Sequence, residues 1–450
     1  MNKIIRELVE FSLDLRYEDV PRDVVHEAKR ALYDTLGCIF GGHESRDVHI
    51  VRNIYRHMEG LPEATVLVSG EKLPALHAAL INAVAVHTST ADSYYAFSHP
   101  NYPAVMIPAG LAAAELAGAS TKELLVALII GYEFQIRLRE LLEPTIGTNQ
   151  IHSADLAHWS TALLVSRLLR QSCEKTMHAL GLARIWRHTN DGGSSDNFVT
   201  DQLHQALAVQ WGFKAAVMAA AEFPRVEGNV LGVDLHPESA ARMLVEDYGD
   251  PFRIMVCSMR AFPTDLRLQT AVTLVIRLAK EYTGEREQID AIEVSLPELP
   301  EDILHLPKGP HGADKHLVAK SLPFCIARSF LDGKLDWRSF DDEHLNDIVV
   351  RNLMGKVKAL KDEGLVRHQS NDAPARVTLR MIGGDTYTLQ AENPKGHPID
   401  PLTDWEIEEK VSKLIGSCLS ADRQTQMRGT VWDCEQLAGM HQFMSMMVEN

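Results

Sequence analysis

Apolar residues recur every three or four positions over most of the first 265 residues, which is the spacing of an amphipathic α-helix. One such stripe comprises Val25, Ala28, Leu32 and Leu36. The stretch from Ala104 to Ala117 is almost wholly small and apolar, which favours a helix buried on all sides. Ser120 followed by Glu123 forms a capping box that predicts the start of a helix running to Arg139.

The pattern changes after residue 265. Residues 291–296 alternate between apolar and polar, as a half-buried strand does. Residues 376–382 and 386–389 flank Gly383-Gly384-Asp385, which predicts a β-hairpin. Helices are predicted at about 316–331 and 342–360.

A second capping box, at Thr403 and Glu406, returns the chain to helix. The predicted fold class is therefore mainly α, with a large helical bundle and a smaller inserted α+β lid domain. We place the helical domain at residues 1–265 and 401–450, and the lid domain at 266–400.

Charge and hydropathy narrow the possible partners. The chain has a formal net charge of −16, which disfavours binding to nucleic acid or to an anionic membrane. The N-terminus has no unbroken apolar stretch of the kind a signal peptide needs, and the run Leu124–Ile130 is too short to cross a bilayer. These features predict a soluble, cytoplasmic protein with no nucleic-acid or membrane partner.

The six cysteines are scattered and include no Cys-x-x-Cys pair, so we expect reduced thiols and no structural zinc or iron–sulfur cluster. The sequence also lacks the Gly-x-Ser-x-Gly, Gly-x-Gly-x-x-Gly and His-Glu-x-x-His motifs of serine hydrolases, Rossmann oxidoreductases and zinc proteases. Any chemistry would then fall to side-chain acids and bases.

The most unusual segment lies between two Ala-rich helices, from His87 to Pro100. It combines His99, Asp92 and several hydroxyls in one loop, a common location for a site. A capping role for the loop is the alternative. His152 lies at a predicted helix N-terminus, where a substrate carboxylate would be stabilised; its spacing from His158 does not suit a metal pair.

Several segments, in this order, resemble the MmgE/PrpD family. The likeness is carried by residues 28–38, 82–87, 99–100, 131–133, 262–263, 269–272, 320–324, 395–398 and 401–403. The segments at 262–263 and 269–272 are most similar to the 2-methylcitrate dehydratase branch. The resemblance implies a homodimer without metal or organic cofactor. It also implies a lyase or epimerase acting on a small polycarboxylate substrate.

The resemblance also suggests site residues. The family loop Asp-Phe-Asp-Asp-Thr corresponds to residues 89–93, where Asp92 is kept, Ser93 replaces Thr and Ser89 replaces the first Asp. His99, His152 and His204 match family histidines. Two family lysines are missing: one position is Asp201, and the other falls near Met259 or Arg260.

We therefore predict a hydro-lyase of the 2-methylcitrate dehydratase type. His99 or His152 would be the base, and the other histidine or Tyr132 the acid, with Asp92 orienting an imidazole. The predicted substrate-binding residues are Ser89, Ser93, His204, Arg260 and Lys320. The alternatives are an epimerase or decarboxylase on a related polycarboxylate, or a catalytically retired metabolite-binding homologue.

Overall fold

The chain forms two compact units. A computed structural model describes residues 2–58, 60–89, 91–95, 103–146, 153–186, 198–226, 228–231, 247–305, 315–365, 373–416 and 418–448. One unit comprises Met1–Cys257 with Ile407–Asn450, and the other comprises Ser258–Glu406. Helices make up 62% of the structure, which confirms the mainly α class. The boundaries placed at 265 and 401 from the sequence stay predictions.

The chain is mostly helical up to residue 257 and mixes helices with strands after it. The first unit begins with α1 Asn2–Asp14, α2 Arg22–Gly42, α3 Arg46–Arg56, β1 Ala64–Thr65, β2 Lys72–Leu73, α4 Ala75–Thr88, β3 Tyr94–Tyr95, α5 Ile107–Ala117, α6 Thr121–Ile146, α7 Ser153–Leu168, α8 Cys173–Ala183, α9 Phe198–Ala220 and β4 Cys257–Ser258. The chain continues with α10 Gln269–Glu281, β5 Ile289–Leu296, α11 Lys315–Val318, α12 Leu322–Asp332, α13 Asp342–Leu345, α14 Ile348–Met354, β6 Val357–Lys361, β7 Ala375–Met381, β8 Thr386–Ala391, α15 Asp404–Ile415, α16 Ala421–Trp432 and α17 Met440–Ser445.

Small residues let the helices of the first unit approach closely. The Ala-rich helix α4 is buried along almost its whole length and packs against α2. At the point of contact, a Cβ on Gly42 would lie 2.0 Å from the carbonyl oxygen of Ala85. The Thr88 hydroxyl, at the end of α4, donates to the Gly42 carbonyl at 3.2 Å. The contact therefore requires glycine at position 42.

The helices α7 and α9 meet in the same way. A Cβ on Gly212 would lie 2.3 Å from the carbonyl oxygen of His158. The His158 ring is fully buried, with Nδ1 3.2 Å from the carbonyl oxygen of Ala154. Burial lowers the pKa of His158 to about 3, so the ring is neutral in the core at physiological pH.

The C-terminal segment belongs to the first unit because it completes the surroundings of α2. Val411 and Leu414 of α15 contact Gly37 and Gly41, two glycines of α2. Further along, the Lys29 ammonium lies 2.5 Å from a carboxylate oxygen of Glu435. The segment is therefore held by both apolar packing and a half-buried ion pair.

The second unit contains a four-stranded sheet of order β6-β5-β7-β8. β5 pairs parallel with β6 and antiparallel with β7, and β7 and β8 form a hairpin. The strand predicted at 291–296 and the hairpin around Gly383 are confirmed. Helices α10 and α12 contribute the apolar residues that cover the sheet.

Two helix predictions in this unit were partly wrong. The helix predicted at 342–360 is two short helices followed by strand β6, because residues 357–361 pair along β5. The helix predicted at 316–331 is interrupted, since Ser321 caps a new helix by accepting from the Phe324 amide. Both predicted capping boxes, at Ser120 and Thr403, are confirmed.

All six cysteines are free. Among the residues that the structure describes, no helix is both long enough and apolar enough to span a bilayer.

Replacing Gly42 by alanine tests the α2–α4 contact. We expect Gly42→Ala to lower the free energy of unfolding by about 2–3 kcal/mol, because the new Cβ meets backbone that cannot rotate away. The matched control is Gly429→Ala in α16, where a Cβ meets nothing within 4 Å. It should raise stability by about 0.5–1 kcal/mol. Equal urea midpoints for the two variants would contradict the packing argument.

The buried imidazole of His158 predicts a pH dependence. Its pKa is about 3 in the folded chain against an ordinary 6.5, so between these values only the unfolded chain binds the proton. The stability it contributes is complete above pH 6.5 and is lost as the pH falls towards 3. Between pH 6.5 and 5 the wild type should lose about 2 kcal/mol more than His158→Gln in urea unfolding.

The exposed His441 supplies the control, because His441→Gln should keep the wild-type dependence on pH. If wild type and His158→Gln lose stability in parallel on acidification, His158 is not the group responsible.

Candidate active site

The segment after α4 is the buried centre of the candidate site. Ser89, Asp92 and Ser93 are each at most 2% exposed. The Ser89 hydroxyl donates to the Val86 carbonyl at 2.7 Å and accepts from the Ala91 amide at 3.2 Å. These bonds close the end of α4, so Ser89 shapes the turn that leads to Asp92.

Asp92 pairs with an imidazole of its own segment. Its Oδ2 lies 3.1 Å from Nδ1 of His87, which is in the last turn of α4, and both side chains are buried. The expected orienting role of Asp92 therefore has a partner in His87, a residue that was not among the predicted site residues. His99 and His152, the predicted bases, lie outside the described residues.

A second pair of buried charges lies beneath the same segment. The Lys410 ammonium, from α15, is 2.6 Å from Oδ1 of Asp34 in α2 and donates to the Ala91 carbonyl at 2.7 Å. Burial raises the pKa of Asp34; Lys410 opposes this, and the negative charge of Asp92 adds to it. The negative charge of Asp92 therefore makes ionisation of Asp34 less favourable.

Tyr132, in α6, supplies a phenol to this region. It is fully buried, and burial raises its pKa well above the usual 10.0, while the nearby Ser93 hydroxyl opposes the shift in part. The phenol therefore stays protonated at neutral pH and is available as a hydrogen-bond or proton donor. The structure thus brings together four predicted site residues, Ser89, Asp92, Ser93 and Tyr132.

His204 lies half-buried in α9 of the same unit, close enough to His158 for its charge to lower the pKa of that ring further, after burial. Sequence reasoning missed His87, Asp34 and Lys410. For His87 the signal was its place in the last helical turn before an aspartate. The pairing of Asp34 with Lys410 links distant parts of the chain and has no local signal.

The remaining predicted residues belong to the second unit. Arg260 is buried, and its neighbour Met259 donates its amide to the Gly396 carbonyl at 3.0 Å. Gly396 has φ of 92° and its Cβ position lies 1.9 Å from the Met259 carbonyl oxygen, so only glycine fits. The structure therefore holds two family-like segments, 259–260 and 395–398, against each other.

Lys320 precedes the cap of α12 and is half-buried. Burial acts to raise the pKa of Asp265, but hydrogen bonds from Arg267 and the positive charges of Arg267 and Lys320 outweigh it and hold that pKa below its usual value. Lys320 therefore lies in the field of the half-buried Asp265 carboxylate.

The segment most similar to the dehydratase branch has a structural role. The buried Gln269 side chain donates to the carbonyls of Phe262 and Thr264 at 2.8 and 3.1 Å and accepts from the Phe262 amide at 3.3 Å. Gln269 thus clamps the turn that contains Pro263, which accounts for these residue types without reference to a substrate.

Within the described part of the chain, no three or more His, Cys, Asp or Glu side chains are grouped as metal ligands would be.

Comparison with known proteins adds the family. The MmgE/PrpD N-terminal domain matches residues 6–227, and the MmgE/PrpD C-terminal domain matches residues 262–436. The cis-aconitate decarboxylase of Homo sapiens is 24% identical over 444 residues, covering 92% of this chain and 88% of the relative. That of Mus musculus is 23% identical over 439 residues, covering 91% and 86%.

A cis-aconitate decarboxylase-like protein of Aspergillus oryzae is 22% identical over 494 residues and covers 98% of this chain and 97% of its own length. The relatives are matched over nearly their whole length, and both family domains are present in order. This chain therefore belongs to the MmgE/PrpD family.

Proposed function

We propose that this protein is a lyase that acts on a small polycarboxylate through side-chain acids and bases, with decarboxylation of a cis-aconitate-type substrate as its first candidate reaction. The observation that carries the proposal is the buried site of Asp92, His87, Ser93 and Tyr132. It supplies a carboxylate–imidazole pair from the segment after α4 and a protonated phenol from α6. The relatives, all matched at low identity, include cis-aconitate decarboxylases, which favours this chemistry.

The proposed reaction needs two kinds of group. The bond between the methylene carbon and its carboxylate breaks, and CO2 leaves. The electron pair of that bond forms a new double bond to the central carbon. The pair of the former double bond moves to its far carbon, which takes up a proton. Tyr132 is our candidate proton donor, because its phenol carries a proton at neutral pH and lies beside the Ser93 hydroxyl of the segment that holds Asp92. Cationic residues must hold the remaining carboxylates, and Arg260 and Lys320 stay our candidates.

Dehydration of a 2-methylcitrate-type substrate is the second candidate. The likeness of residues 262–263 and 269–272 to the dehydratase branch favours it, although the clamping role of Gln269 accounts for part of that likeness. A homodimer and a cytoplasmic location stay predictions.

Proton NMR of the purified protein in deuterated buffer tests the proposal. The substrates are cis-aconitate, 2-methylcitrate, citrate and iminodisuccinate, each incubated separately. We expect cis-aconitate to be consumed, with two new vinylidene proton signals and one deuterium in the product methylene. An allylic methyl singlet in place of the doublet of 2-methylcitrate would identify the dehydratase instead.

Other outcomes would reject the lyase. Loss of a Cα–H signal without elimination would indicate an epimerase. Silence across the substrates, together with ligand-induced increases in melting temperature, would indicate a retired binding protein.

The phenol of Tyr132 can be tested separately. Tyr132→Phe keeps the ring and removes the donor, so we expect kcat to fall about 10²-fold or more with an unchanged melting temperature. Tyr248→Phe is the matched control, because it removes another phenol of the same unit, one that contacts Ser12 at 3.2 Å. Comparable kcat values for the two variants would exclude Tyr132 as the proton donor.

A further inference from the structure

The Lys410 ammonium is almost completely enclosed. Its side chain is 9% exposed, and that of Asp34 is 1% exposed. It joins two acceptors of different kinds, the Asp34 carboxylate at 2.6 Å and the Ala91 carbonyl at 2.7 Å. The contact with Asp34 is an ion pair and the contact with Ala91 is a charge-assisted hydrogen bond, and both are strengthened in a water-poor interior.

The bond to Ala91 acts on the backbone next to Asp92. The Ala91 carbonyl belongs to the peptide that leads directly into Asp92, whose carboxylate is paired with His87. The Ala91 amide is held by Ser89. The segment is thus fixed from the end of α4 on one side and from α15 on the other, and the hold on the Ala91 carbonyl comes from the Lys410 ammonium.

Stability alone does not account for this arrangement. A buried ion pair generally stabilises a fold no better than apolar side chains of the same volume, since both charges lose their hydration. What an apolar residue would lack is the hydrogen bond to Ala91.

We propose that Lys410 is a positioning residue of the site, which fixes the Ala91–Asp92 peptide through its ammonium while Asp34 holds that ammonium in place. The effect on the backbone stands by itself. The effect on turnover rests on the proposed lyase function.

Three variants separate positioning from stability. Lys410→Met removes the ammonium but leaves Asp34 buried without its cation, so its melting temperature should fall. Asp34→Asn combined with Lys410→Met removes both charges and should recover most of that loss. Lys413→Met is the matched control, because Lys413 is on the same helix with a half-exposed side chain that pairs with Glu409.

Hydrogen–deuterium exchange of the peptide spanning residues 86–94 measures positioning without any substrate. We expect exchange about 10-fold or more faster in the double variant than in wild type or Lys413→Met. Wild-type exchange in the double variant would overturn the proposal.

Turnover on the substrate identified by NMR provides the second readout. The double variant should keep kcat reduced on the order of 10- to 100-fold although its melting temperature has recovered, because the carboxylate of Asp92 is displaced. If kcat and melting temperature recover together, the pair is only structural and the proposal fails. If the wild type turns over none of the substrates, the lyase function fails, and the exchange experiment still decides the positioning role.

Discussion

The hydrogen bond from Lys410 to the Ala91 carbonyl joins the C-terminal segment of the chain to the loop that carries Asp92. It exists only because α15 returns to the first unit after the second unit has been completed. The ammonium needs Asp34 to be tolerated in the interior, and Asp34 lies in α2, whose glycines admit Val411 and Leu414 of the returning helix. The site therefore depends on a contact that closes late in the sequence.

The burial that surrounds this contact also determines its chemistry. Helices α2 and α4 approach as closely as Gly42 allows, and residues 89 and 91–94 after α4 are buried. In such surroundings a phenol keeps its proton and a carboxylate is costly to ionise, as the raised pKa values of Tyr132 and Asp34 indicate. Dense packing by small residues and the acid–base properties of the site are two consequences of one arrangement.

Local patterns in the sequence predicted most of the elements but only part of the site. The capping boxes and the hairpin at Gly383 are short-range features, and all were confirmed. Strand β6 was missed because five residues with weak alternation become a strand only beside β5. The pairing of Asp34 with Lys410 could not be predicted from local sequence, since each is an ordinary charged residue of a helix and the two are far apart along the chain.

Some residues that resemble the family serve the fold of this chain and need not contact a substrate. The Gln269 side chain bonds to the backbone of Phe262 and Thr264, and the close approach of the Met259 carbonyl requires glycine at position 396. The structural roles of these residues account for them whichever reaction the chain performs. Ser89 is different: it stands where the family commonly has aspartate, and its hydroxyl completes the end of α4. An aspartate there would add a third carboxylate to a region that already contains the buried Asp34 and Asp92. Serine at this position therefore adds no charge to a site that is already buried, while its hydroxyl closes the end of α4.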